Sequence, residues 1–136
     1  MLHHRPITFG MIGTGWMADV IAGDFQLCEG VELLAVAGRE PGRTRDFAQL
    51  HSIPVACSVT ALLARDDVDV VYVATPHHLH HEFGLAAIRA GKAALVEKAF
   101  TTGLREAEEL VIAARDAGTF LMEAMWMSFN PAIIEA

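Results

Sequence analysis

The chain has 136 residues, 53% of them hydrophobic, which suits one compact domain with a buried core. Its formal charge of -7 at neutral pH disfavours nucleic acid and anionic membrane as partners, although a few arginines can still hold a phosphate. No apolar run approaches the roughly 20 residues of a membrane helix, and residues 1–6 are too short and too histidine-rich for a signal peptide. Cys28 and Cys57 stand apart, without a disulfide framework or paired thiolate ligands. They read as two half-buried thiols of a cytoplasmic protein.

The first strand, expected over residues 8–12, runs straight into Gly13-Thr14-Gly15-Trp16-Met17-Ala18. In a Gly-x-Gly-x-x-Ala turn one glycine makes the tight bend and the second lets the backbone approach a pyrophosphate. A small third residue, here Ala18, lets helix pack on strand. The helix expected over 16–27 would aim unpaired N–H groups and its positive dipole end at the anion. Gly-x-Gly also occurs as plain punctuation, and it is the flanking strand and helix that make this a candidate dinucleotide loop.

Val31–Ala37 is nearly all apolar, as a buried parallel strand should be. Pro41 suits a first helical position, with the helix continuing over 43–50, followed by a weak strand at Val55–Cys57 and a short helix at 60–64. Residues 68–74 form a β-branched strand. Thr75-Pro76 reads as a helix cap and a first-turn proline, opening a helix that runs to Ala90 and stops at Gly91. Ala93–Glu97 is a fifth strand, Leu104–Ala117 a helix ended by Gly118, and 120–125 a sixth strand. This alternation predicts an α/β fold, a Rossmann-type doubly wound parallel sheet of about six strands with helices on both faces. Asn130 and Pro131 carry an N-cap and a first-turn proline for one more helix. Isolated helices need about 12–15 residues. Residues 1–129 are therefore expected to form the dinucleotide-binding domain and 130–136 the start of a truncated helix, the alternative being a short docked turn.

Cofactor choice turns on the end of the second strand, where NAD-binding folds commonly offer an acid to the adenosine ribose. Here the chain reads Ala37-Gly38-Arg39, with Glu32 at the wrong end of the strand and Glu40 after the arginine. Arg39, helped by Arg43, could pair with a 2′-phosphate and stack on adenine, which favours NADP, while an inward Glu40 would serve NAD.

His77, His78, His80 and His81 form a cluster whose three- and four-residue spacing could converge on a metal. No completing ligand is evident, and no metal site is expected. Lys98 follows the fifth strand at the carboxyl edge of the sheet, where α/β folds bind ligands. An ammonium there could hydrogen-bond a substrate oxygen and favour a developing alkoxide. Spacing alone favours a solvated Glu97-Lys98 pair.

Gly13 to Ala18, then Ala74-Thr75-Pro76-His77-His78-Leu79-His80, then Ala90-Gly91-Lys92 leading through Leu95-Val96 to Glu97-Lys98, resemble the Gfo/Idh/MocA oxidoreductases in order and spacing. Met122-Glu123-Ala124-Met125-Trp126-Met127 is most similar to the dihydrodiol dehydrogenase branch. The resemblance covers the family's N-terminal half. It implies a missing second domain that supplies much of the substrate pocket and a homo-oligomer interface. It makes Lys98 the catalytic-site lysine, with Glu97 orienting the ribose or the lysine; on physical grounds, partial burial in the crevice would suit that lysine to acid–base work. The resemblance puts His77 and His80 near the nicotinamide ribose, with His78 and His81 at the surface, and Trp126 near nicotinamide and substrate. On the residues alone, Trp126 reads equally well as a core indole. Two departures stand out: Ala99 replaces the usual proline after the lysine, leaving the turn less fixed, and Ser128 stands where many relatives have arginine. Met11, Met17, Met122, Met125 and Met127 are expected to fill core or pocket.

The cofactor site is thus expected to use Gly13, Thr14, Gly15, Trp16, Met17, Gly38, Arg39, Arg43, Thr75, Pro76, His77, His80, Glu97, Lys98 and Trp126. The expected function is hydride transfer between NADP(H) or NAD(H) and the C–OH or C=O of a small carbohydrate-like molecule, a sugar, cyclitol or diol. Two alternatives are a non-catalytic dinucleotide-binding module and a metal-dependent hydrolase built on the histidines.

Overall fold

The computed structural model describes residues 5–135. Six parallel strands, β1 (Ile7–Ile12), β2 (Val31–Ala37), β3 (Val55–Cys57), β4 (Val70–Val73), β5 (Ala93–Glu97) and β6 (Leu121–Ala124), form one sheet in the order β3-β2-β1-β4-β5-β6. The order reverses between β1 and β4, and at such a switch point the flanking loops part to leave a crevice beyond the carboxyl ends of the strands. Helices α1 (Trp16–Phe25), α2 (Pro41–Leu50), α3 (Val59–Leu63), α4 (His80–Arg89), α5 (Leu104–Ala117) and α6 (Pro131–Ile134) complete the fold. The expected α/β Rossmann-type architecture is the observed one.

Two cores sandwich the sheet. On one face Ile12, Ala35, Ala37, Val71, Val73, Ala94 and Val96 meet Leu62 of α3, Ala87 and Ile88 of α4, and Leu110 and Ala114 of α5. On the other, Met11, Leu33, Val36 and Tyr72 meet Ala18 and Ala22 of α1 and Phe47 and Ala48 of α2. Alternate residues of one strand serve opposite faces, so strands buried on both faces carry the unbroken apolar runs seen in the sequence. Ala18 is fully buried, and its small side chain sets how closely α1 approaches β1. On this second face no helix among the described residues covers β5 and β6. Leu95, Met122, Ala124, Met125, Trp126 and Phe129 instead line an open groove of about 400 Å³.

Several expectations need correction. The helix expected over 16–27 ends at Phe25, leaving Leu27 exposed, and the strand expected over 68–74 pairs only from Val70 to Val73. Thr75-Pro76 does not open a helix: Pro76 has φ -55° and ψ 147°. Proline fixes φ and leaves ψ free, so its ring does not commit the residue to helix. A single 3-10 turn at His77–Leu79 follows, and α4 begins only at His80. Cys57 is half-buried as expected, but Cys28 is exposed. Met11 is in the core, Met122 and Met125 line the groove, and Met127 is half exposed. Asn130 does cap α6, its side-chain oxygen accepting from the Ala132 N–H at 3.0 Å, and Ile133 and Ile134 of that short helix stay exposed. Residues 1–4 of the expected domain and Ala136 of the expected truncated helix lie outside the described residues. No helix among the described residues is long and apolar enough to cross a membrane.

Candidate dinucleotide site

The crevice at the switch point holds a cavity of about 730 Å³, walled by Gly13 to Met17, by Gly38, Arg39, Glu40 and Arg43, and by Thr75 and Pro76. Gly13 has φ +123°, and a Cβ there would sit 2.4 Å from the Ala74 carbonyl oxygen. Only glycine lets β1 pass this close to the end of β4 while turning into α1. Gly15 precedes α1 with no side-chain cap, and a Cβ there would meet nothing within 4 Å. The first amides of α1 therefore face open space, the arrangement that suits a phosphate.

Gly38 is walled in from both sides. A Cβ on it would lie 2.6 Å from Thr44 Oγ1 and 3.2 Å from Thr14 Cγ2. Thr44 is buried and donates to the Glu40 carbonyl at 2.8 Å, so it cannot swing aside cheaply. An acid is thus kept from the position where NAD-type folds place one. Arg39, next along, is 94% exposed with only a loose Glu40 contact at 3.8 Å. Arg43 donates to the Thr14 carbonyl at 3.0 Å and ties α2 to the glycine loop. The two arginines expected to act together therefore differ: Arg39 is free to meet a ligand, and Arg43 already braces the loop.

A smaller cavity of about 190 Å³ continues along the strand ends, lined by Trp16, Met17, Ala74, Thr75, His77, His80, Glu97 and Lys98. Thr75 Oγ1 is buried there without a hydrogen-bond partner, a polar atom left over by the protein and available to a ligand. Lys98 is exposed rather than partly buried. Its backbone, by contrast, is held closely. The Lys98 N–H donates to Glu97 Oε2 at 3.0 Å, the His77 ring lies 3.1 Å from its carbonyl oxygen, and the Phe100 N–H donates to Glu123 Oε1 at 2.9 Å. These polar ties hold the turn at Ala99, which was expected to be less fixed for want of a proline ring.

His80 is fully buried at the start of α4, its Nδ1 2.8 Å from the Ala99 carbonyl oxygen and its Nε2 2.9 Å from that of Thr75. Carbonyls only accept, so the ring bonds through a nitrogen that carries a proton, and its place between the two carbonyls staples the β4 and β5 loops. Both nitrogens face carbonyl oxygens rather than a shared metal position. His81, expected at the surface, is half-buried with Nε2 2.8 Å from Glu109 Oε2. The His77 and His80 rings meet edge-on with centroids 5.3 Å apart, but each faces a different backbone carbonyl, and among the described residues no three His, Cys, Asp or Glu side chains form a metal cluster. His78 is exposed as expected but joins Val59, Leu79, Glu82 and Phe83 along the far wall of the large cavity. The spacing of strands and helices shows no sign of that wall, to which Val59 of α3 and Glu82 and Phe83 of α4 contribute together.

Trp126 is neither in the crevice nor a core indole: it is 60% exposed on the apolar groove. Glu97 lines both that groove and the small cavity. Tyr72, also on the groove, donates its hydroxyl to Glu97 Oε1. Burial, and then the Glu97 carboxylate, push the Tyr72 phenol far above its usual range, so the hydroxyl stays a donor. Sequence reasoning missed Tyr72, since it reads as one apolar residue of a buried strand.

A family model described as an oxidoreductase family with an NAD-binding Rossmann fold matches residues 7–125. The chain belongs to the Gfo/Idh/MocA oxidoreductases. It is 44% identical over 105 residues to trans-1,2-dihydrobenzene-1,2-diol dehydrogenase of Danio rerio, covering 76% of this chain and 31% of the relative. It is 37% identical over 126 residues to a scyllo-inositol 2-dehydrogenase (NADP(+)) of Bacillus subtilis, covering 92% and 38%. A 3-ketoreductase from Actinomadura kijaniata, solved with NADP, superposes with a TM-score of 0.88 at 37% identity, over 96% of this chain and 42% of that one. The chain therefore spans only about a third of the length of these curated relatives.

Proposed function

We propose that this Gfo/Idh/MocA chain is the nucleotide-binding half of an NADP(H)-dependent oxidoreductase acting on the C–OH or C=O of a sugar, cyclitol or diol. The observation that carries the cofactor preference is Gly38, sterically closed to an acid, beside the free guanidinium of Arg39. A 2′-phosphate would find a cation at the strand end, with no carboxylate at position 38 and Glu40 only loosely engaged at 3.8 Å. Gly13, Thr14, Gly15, Trp16 and Met17 would carry the pyrophosphate. Thr75, Pro76, His77, His80 and Glu97 would form the nicotinamide side, where the unpartnered Thr75 hydroxyl fits a polar ligand atom.

When bound, the nicotinamide supplies or accepts the hydride. Lys98, projecting from the strand edge beside that space, donates a proton to the substrate carbonyl oxygen during reduction and takes it back during oxidation. Its charge also stabilises the oxygen as negative charge develops. The names of the relatives, a diol and a cyclitol dehydrogenase, support the substrate class. A second domain would close the substrate side and carry the interface of a homo-oligomer.

The test is fluorescence titration of this chain with NADPH and NADH, with Arg39→Ala as control. NADPH should bind more tightly, and the substitution should weaken NADPH by about 10- to 100-fold, the worth of a charge-assisted contact, while leaving NADH within about twofold. An unchanged preference in Arg39→Ala would remove the NADP assignment. In a version carrying the second domain, Lys98→Met should abolish turnover of scyllo-inositol and trans-1,2-dihydrobenzene-1,2-diol while NADPH still binds. Cofactor binding without turnover of any diol, cyclitol or sugar would instead indicate a binding module.

A further inference from the structure

We propose that Tyr72 is a positioning residue for Lys98, acting through the Glu97 carboxylate. The inference rests on reading Lys98 as the catalytic-site lysine. Parallel register places Tyr72 of β4 opposite Leu95 of β5, which puts Glu97 two residues further along the same face. The carboxylate is almost completely buried there, and its two oxygens are divided between two donors. Oε1 accepts the Tyr72 hydroxyl, and Oε2 accepts the Lys98 backbone N–H at 3.0 Å.

A glutamate side chain has several rotatable bonds, and one hydrogen bond to its neighbour's amide would leave it free to choose among rotamers. The Tyr72 hydroxyl supplies the second fixed point. It comes from a ring that cannot itself wander: Tyr72 is 3% exposed and packs edge-on against Phe25, with centroids 6.5 Å apart. The tyrosine is thus anchored in the α1 core, the carboxylate is anchored by the tyrosine, and the carboxylate fixes where the Lys98 backbone leaves the strand. With alanine at 99, that polar tie takes on orientation that a ring would otherwise supply. Neither Tyr72 nor the hydroxyl needs to touch cofactor or substrate.

Tyr72 is the single tyrosine of the chain, which makes the relay directly observable. In amide-exchange NMR on this chain without cofactor, Tyr72→Phe should speed exchange at the Lys98 amide by about tenfold or more and move its proton resonance upfield. The Leu95 and Val96 amides on the same strand should keep their protection. Glu97→Leu should do the same, because it removes both acceptor oxygens. The double variant should add little to either single one, as expected for groups acting in series. An unchanged Lys98 amide in Tyr72→Phe, an equal loss of protection along all of β5, or additive effects would overturn the proposal. Should Tyr72→Phe not fold, biosynthetic 3-fluorotyrosine gives a single fluorine signal at position 72. A signal unmoved by Glu97→Leu would overturn the proposal equally. None of these readouts needs a nucleotide, so failure of NADPH to bind would count against the proposed function alone.

Discussion

Replacing Gly38 by aspartate should fail to produce an NAD-preferring protein, and should destabilise the fold instead. The new Cβ would sit 2.6 Å from Thr44 Oγ1 and 3.2 Å from Thr14 Cγ2, the first well inside van der Waals contact. Thr44 is 2% exposed and its hydroxyl is already used by the Glu40 carbonyl, so relief requires α2 to move against the sheet. Overpacking of this kind costs about 1–3 kcal/mol, and at this chain length each kcal/mol lowers the melting temperature by about 4 °C, so a fall of about 4–12 °C is expected. Removing the obstruction in Gly38→Asp/Thr44→Ala should return at least half of that loss. Only then should the NADPH to NADH affinity ratio fall, because the carboxylate can now reach a ribose and repel a 2′-phosphate. Differential scanning fluorimetry and parallel nucleotide titrations measure both effects. If Gly38→Asp alone were as stable as the parent and preferred NADH, the steric account of the strand end would be wrong.

Two more outcomes follow from polar groups that tie loops to the ends of the strands. At the opposite edge of the sheet, the Arg5 guanidinium bonds both oxygens of Asp69 at 2.7 Å, and the Thr8 N–H adds a third bond at 2.9 Å. With the Arg5 bonds as the largest cause, the Asp69 carboxyl is held well below the usual carboxylate range. Its stabilising contribution is therefore full above the unfolded carboxyl value near pH 4 and is lost as pH falls below it toward the folded value. Urea denaturation at pH 6, 4 and 2 should show a shallower acid loss for Asp69→Asn than for the parent, and parallel curves would refute this. His80→Ala should cost about 2–5 kcal/mol, since it opens a buried hole and strands two carbonyls, while His80→Asn should cost less by keeping one donor. A melting temperature within about 2 °C of the parent for His80→Ala would contradict the staple.

What the sequence disclosed and what it concealed divide along physical lines. Gly13, Gly15 and Ala18 were readable because a strand, a turn and a helix start are set by neighbours in the chain. The same holds for β2, β3, β5 and α5, whose observed limits are the expected ones. Pro76 misled because its fixed φ is shared by helix and extended backbone, and only the walls of the crevice select ψ 147°. The Tyr72 to Glu97 bond spans 25 positions and exists only through the β4 to β5 register, which no local pattern encodes. His80 looked like one member of a histidine cluster, yet its function is set by two carbonyls on different loops. Trp126, given by resemblance a place near nicotinamide and substrate, lies on the apolar groove beside β5 and β6, a surface made by residues far apart in the chain.

The Lys98 turn is held by polar ties from β5, β6 and the histidine segment ahead of α4, and such ties are only as strong as their surroundings are dry. Water reaching His77 or the lysine carbonyl competes for the same hydrogen bonds, whereas anything that seals the crevice strengthens all of them at once. A proline ring would make the turn equally stiff in every state. Here stiffness becomes a response to occupancy: the lysine has most latitude when the crevice is wet and least when a bound molecule has driven the water out.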